Sequence, residues 1–296
     1  MAGNTIEIEK IRITFFWVAD MKRIILGTFI FCMATAFFAS NSSLLAQEKE
    51  EGDWGHLIGQ IVISGEAPEN EIEDVSKAPA KDKAACLVDG KVPADDGIVV
   101  NDKNQLRDVF VYMYTGRRAP VPEKFHPSYD AQKKVKFTLD NQKCRFVPKA
   151  VFARAGQTLV LKNSDNVGHN CHIVTFQQEH NINIPANKET ELELEDLSDK
   201  SPGKVNCDIH PWMDSIIFIR DNPYVAISNE TGAFRIENIP AGDWQFQFWH
   251  KKVGYLKTIE IKGYEPSKRG VIGATIENEK TLNLGVLTLP AEAFEE

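Results

Sequence analysis

The chain has 296 residues, 43% hydrophobic and 26% charged, with a formal net charge of −8. That length accommodates two domains with a sizeable core, and the composition excludes a disordered or low-complexity chain. The acidic balance, with no basic cluster, argues against a nucleic-acid partner, since binders of the phosphate backbone carry a basic face.

Met21-Lys22-Arg23 precedes an apolar run from Ile24 to Ala39, and Ser40-Asn41-Ser42-Ser43 then leads to Leu44-Leu45-Ala46. Positive, apolar and small-residue segments in that order read as a secretory signal over 21–46, cleaved after Ala46, with residues 1–20 as an extension ahead of it. The competing reading, a retained anchor, suffers because the run is short for a span of ~20 residues. The mature chain then carries a formal charge of about −9 by counting. It is expected in the periplasm or outside the cell, with no stable membrane span, where disulfides persist.

Beyond the signal come short β-branched and aromatic runs broken by Gly, Pro, Asn and Asp, which predict an all-β protein. Strands are expected at 56–63, 108–114, 135–139, 146–153, 157–162, 172–176, 189–194, 204–207 and 215–219. The stretch 66–96, rich in charge, Ala and Pro, reads as loops or a short helix. A second unit opens near Pro223, with strands at 224–228, 232–236, 244–249 and 258–261 and turns at 229–232 and 240–243. Strict alternation from Trp244 to Trp249 predicts one packed and one wet face. The domains expected are therefore 47–221 and 222–290, with a tail at 291–296.

The chemistry concentrates in Cys207-Asp208-Ile209-His210-Pro211-Trp212-Met213, where a thiolate, an imidazole and a thioether share one loop between two strands. A copper ion cycling between its two oxidation states needs that mixture: a soft sulfur, imidazoles tolerated by both states and a weak thioether that tunes potential. A fourth donor should come from a histidine after an upstream strand, and His169 in Gly168-His169-Asn170-Cys171-His172 supplies it. His172 competes with it from three residues away. A zinc half-site is the other reading of Cys-x-x-His, but zinc would want a further Cys or His pair.

This combination resembles the cupredoxins, and the Cys-x-x-His-Pro-x-Met spacing looks most like their amicyanin branch, with plastocyanin-like proteins close by. The resemblance covers about residues 135–221. It implies a Greek-key β-sandwich holding one type 1 (blue) copper ion through His169, Cys207, His210 and Met213. It also implies that Asn170 ties the two ligand loops together and that His210 reaches the surface as the electron exit. Pro211 has no N–H to offer the sulfur and stiffens the loop. Trp212 reads either as an exposed docking residue or as a packed cap. With Cys207 assigned, Cys86 and Cys144 are candidates for a disulfide pinning the charged loop to the core, and Cys171 is expected to face the interior as a small apolar residue, with an extra copper ligand as its alternative.

Residues 228–236 and 239–244 resemble the carboxypeptidase regulatory-like sandwich, which implies a smaller prealbumin-like β-sandwich and no catalysis. Trp249-His250 reads as a packed aromatic beside a hydrogen-bonded histidine, or as a metal or sugar contact. The expectation is thus a non-enzymatic, exported carrier of single electrons between redox proteins such as a cytochrome and a dehydrogenase. Its rivals are a copper-binding or delivery protein and an extracellular carbohydrate-binding or adhesion module with a structural copper site. An oxidase or nitrite reductase would need an additional catalytic copper or an open coordination position, and the remaining histidines show no paired ligand spacing.

Overall fold

The computed structural model describes residues 53–70, 80–87 and 97–295. The signal and the extension before it lie outside them. In chain order the elements are β1 (Trp54–Ser64), α1 (Ala80–Cys86), β2 (Phe110–Met113), α2 (Ser128–Lys133), β3 (Phe137–Asn141), β4 (Phe146–Val147) and β5 (Ala150–Arg154). Then follow β6 (Thr158–Asn163), β7 (His169–Val174), β8 (Glu179–Ile184), β9 (Glu189–Glu193), β10 (Gly203–Asn206) and β11 (Asp214–Arg220). The last group is β12 (Val225–Ile227), β13 (Ala233–Pro240), β14 (Gly242–His250), β15 (Gly254–Tyr255), β16 (Val271–Ile276) and β17 (Thr281–Pro290). The protein is all-β, and no described helix is long and apolar enough to cross a membrane.

Among the described residues, four sheets form two sandwiches. The first pairs the sheet β5-β11-β10-β7-β8 with the sheet β4-β3-β6-β9. Alternation puts Leu159 and Leu161 of β6, Val151 and Ala153 of β5, and Ile217 and Ile219 of β11 into one core. The polar edge strand β9 carries Glu189, Glu191 and Glu193 on one side, charges that discourage edge-to-edge pairing. The sequence run 146–153 is two strands, not one. Pro148 has no N–H to continue a ladder, so β4 stays with β3 while β5 crosses to β11 in the facing sheet.

The second sandwich packs the sheet β13-β1-β17 on the sheet β12-β2-β14, which β15 and β16 extend. The boundary expected between 221 and 222 does not divide the two cores. β1 lies between β13 and β17, and β2 lies between β12 and β14, so strands from before the metal-site region complete the C-terminal sandwich. β8, β15, β16 and β17 have no counterpart among the expected strands, and the expected strand at 258–261 makes only isolated bridges. Residues 291–294, read as tail, form a 3-10 turn whose Phe294 packs against the second core.

The two sandwiches meet through a third apolar layer, in which Phe110 and Tyr112 of β2 pack against Ala150, Ile216 and Phe218. Every residue of β2 is buried because its sheet is covered on both faces. The outward side of β14 is accordingly not wet: Gln247 is buried and accepts a hydrogen bond from the Tyr112 hydroxyl at 2.7 Å. Arg220 is 1% exposed in this layer. It donates to the Met113 carbonyl at 2.7 Å and the Thr115 hydroxyl at 2.6 Å, with its guanidinium over the Tyr112 and Phe218 rings.

Candidate metal centre

β7, β10 and β11 are neighbours in one sheet, and β10 runs antiparallel to both. The start of β7 and the loop 207–213 therefore share one end of the first sandwich. The loop is closed by its own backbone, with the Met213 N–H donating to the His210 carbonyl at 2.8 Å and the Cys207 N–H to the Met213 carbonyl at 3.1 Å.

His169, Cys207 and His210 converge, with donor atoms within 4.8 Å of one another. All three are at most 1% exposed. The two histidines approach Nδ1 to Nδ1 at 2.9 Å, and Cys207 Sγ lies 3.9 Å from the Nδ1 of His169 and 3.8 Å from that of His210. Met213 is fully buried in the same core. His172 is not part of this group: its ring nitrogens face Asp208 and Glu179 at 3.1 and 3.0 Å on the more open side of the strand. Cys171 is a buried free thiol, its pKa pushed up by burial and then by the nearby Cys207.

Asn170 joins the two loops. Its Oδ1 accepts from the Asp208 N–H at 2.7 Å and lies 3.3 Å from Cys207 Sγ, while its Nδ2 donates to Asn181 and Asp208. The sulfur thus has a contact on Asn170 besides its two on the histidines. Pro211 is exposed, whereas Trp212 is buried and packs on His210 with ring centroids 5.1 Å apart. Of its two readings the structure selects the packed cap.

The histidine expected at the surface is not there. His210 is 0% exposed, covered by Trp212 on one side and by Asp82 of α1, whose Oδ2 lies 3.5 Å from its Nε2. α1 reaches the site because Cys86 at its end is disulfide-bonded to Cys144, with Cα atoms 5.0 Å apart. A resemblance that begins at residue 135 carries no information about a helix at 80–86.

Two aspartates escaped the sequence reading. Asp165 accepts from His169 Nε2 at 2.9 Å and from the N–H groups of Lys143 and Cys144 at 2.6 and 2.8 Å. Lys143 and Cys144 both have positive φ, 53° and 54°, so one carboxylate steadies the strained turn that anchors the disulfide and also orients a donor histidine. Its place four residues before His169, in a turn, was the available signal. Asp82 had none beyond its nearness to Cys86.

The electrostatics suit a metal ion. Burial disfavours the Cys207 thiolate, yet hydrogen bonds from His169 and His210 outweigh it and bring the pKa down to about 6. Burial likewise opposes a charged His169, but Asp165 and the Cys207 sulfur lift its pKa to about 9. A preformed thiolate with two inward imidazole nitrogens in a dry pocket fits a borderline-soft ion such as copper and offers no oxygen-rich cage for calcium or magnesium.

No protein-family model matches the chain, and no curated relative matches it in sequence. Solved structures similar to part of it include a reduced Cu(I) form of an amicyanin variant, at 18% identity over 29% of this chain and 82% of that one. A purple cupredoxin from Nitrosopumilus maritimus matches at 18% identity over 29% of this chain and 99% of that one. A Cu-containing nitrite reductase from Thermus scotoductus SA-01 matches at 16% identity over 34% of this chain and 25% of its own length. Each has a TM-score of 0.25, so the functional reading rests on the residues of the site and not on these likenesses.

Proposed function

We propose that this is an exported copper protein that carries single electrons between redox proteins, with one ion held by His169, Cys207 and His210 and with Met213 as a weak fourth donor. The observation that carries the reading is the buried convergence of two imidazoles on a thiol whose pKa is already drawn down to about 6. Copper bound there supplies the one-electron change. The chain's own contribution is to hold the donors still: Asn170 locks one loop to the other, Asp165 orients His169, and the loop backbone closes on itself. Donors that do not move between oxidation states keep reorganisation small. The disulfide supports an oxidising compartment.

With His210 covered, the shortest covalent route from the sulfur to exposed surface is the peptide to Asp208, whose side chain is 52% exposed. A redox partner would dock on that face. The second sandwich, read as a carboxypeptidase regulatory-like module, serves as a rigid body joined through the Phe110–Phe218 layer.

The test is the visible spectrum of the mature chain with one equivalent of Cu(II), beside Cys207→Ser. An intense thiolate-to-copper band that is absent from the variant is expected. Copper bound with no such band in the wild type would end the reading. The covered His210 favours a second reading, copper held without electron traffic. Rapid reduction of the loaded protein by a soluble reduced cytochrome supports the carrier, and inertness supports the store.

A further inference from the structure

The two candidate ligand histidines are arranged alike. Each presents Nδ1 to the other and to Cys207 Sγ, and each turns Nε2 outward toward an aspartate. For His169 that aspartate is Asp165, at 2.9 Å. For His210 it is Asp82, at 3.5 Å, and the His210 Nε2 is buried with no hydrogen-bond partner among the described residues. Asp82 is itself only 4% exposed, on a seven-residue helix whose far end is fastened by Cys86–Cys144 to the turn that Asp165 grips.

An imidazole that gives Nδ1 to a metal carries its proton on Nε2, and a buried N–H needs an acceptor. A carboxylate acceptor also makes the ring a stronger donor and places negative charge behind it. Asp82 is the nearby carboxylate that can do this for His210, and it comes from a part of the chain remote from both ligand loops.

We propose that Asp82 is a positioning residue for the metal centre, accepting the His210 Nε2–H so that both imidazoles are backed by carboxylates. This rests on the copper reading above and goes beyond it. The added negative charge stabilises Cu(II) more than Cu(I), so Asp82 holds the reduction potential down while its helix keeps water from His210.

The experiment uses the copper-loaded mature chain and compares wild type with Asp82→Asn and Asp82→Glu. Asp82→Asn is expected to weaken Cu(II) binding on the order of tenfold, the lower end of what outer-shell partners contribute, with Cu(I) binding changed much less. A tenfold shift in that ratio raises a one-electron potential by about 59 mV. Asp82→Glu should restore most of the wild-type potential. A part played only in holding the helix would leave the ratio of the two affinities, and hence the potential, unmoved. As a measurement needing no variant, the His210 Nε2–H of the diamagnetic Cu(I) protein should give a slowly exchanging, downfield-shifted proton resonance.

An Asp82→Asn protein with the intact charge-transfer band and an unchanged potential overturns the proposal, as does a rapidly exchanging His210 N–H in the wild type. Absence of the band from the wild type itself overturns the copper reading instead, so the two failures are distinguishable.

Discussion

Two buried histidines, one in each sandwich, are driven in opposite directions. His250 on β14 lies edge-on to Phe294 with centroids 5.6 Å apart, and burial, reinforced by Lys251 and Lys252, presses its pKa down to about 3. His169 is as deeply placed, and burial opposes its charge too, yet Asp165 and Cys207 carry its pKa up to about 9. The difference teaches that burial does not mark a functional histidine. The anionic groups gathered around it do, and among the described residues they gather at one end of the first sandwich.

The largest test of that asymmetry removes the staple. Cys86→Ser with Cys144→Ser opens a link across 58 residues, which the chain-entropy account values at about 4 kcal/mol. Denaturant unfolding should show a loss of that order. The His250 resonances should stay put, and a change there would mean that the two ends are not independent.

Acid should then separate the two histidines. The folded state keeps His250 neutral down to about pH 3, whereas in the unfolded chain it takes up its proton below its ordinary value of 6.5. The unfolded state therefore binds more protons within that window. Stability contributed at this site is intact above about pH 6.5 and is lost as pH falls, by about 1.4 kcal/mol per pH unit. His250→Asn, which keeps an acceptor for the Lys252 N–H, should flatten that part of the pH dependence of urea unfolding. Equal slopes in wild type and variant between pH 6.5 and 4.5 would contradict it.

The smallest effect is expected from Asp165→Asn, which leaves one good acceptor for three donors, at a cost of about 1–2 kcal/mol. In the metal-free wild type, the stability contributed by protonated His169 is full below pH 6.5 and fades as pH rises through about 9. In Asp165→Asn that contribution should shrink, and the His169 titration followed by NMR should move down. A pKa that stays near 9 would assign the lift to Cys207 alone.

Legibility differed along the chain for physical reasons. β1 and β6 could be read because one face of each is buried, so alternation appears in the residues themselves. β16 alternates as well, in Val271–Ile276, and was there to be read. The Gln247 face of β14 departs from alternation for another reason. Local alternation reports polarity, and Gln247 is polar, but its amide is satisfied inside by the Tyr112 hydroxyl and the Arg269 carbonyl. Arg220 misleads in the same way, a cation buried because the Met113 carbonyl, the Thr115 hydroxyl and two aromatic rings receive it.

By itself the sequence determined the all-β class and the loop that crowds a thiol, an imidazole and a thioether, because side-chain alternation and donor spacing are local properties of a chain. It also brought forward His169, through its place after the strand at 157–162, whereas Asn170 entered only through the family resemblance. Only the tertiary structure decided that β1 and β2 complete the C-terminal sandwich, that Asp165 backs His169, and that α1 lies over His210 with Asp82 at 3.5 Å. Those contacts join residues far apart in the chain. Whether they form depends on which surfaces the folded strands leave to be covered, and no local pattern encodes that.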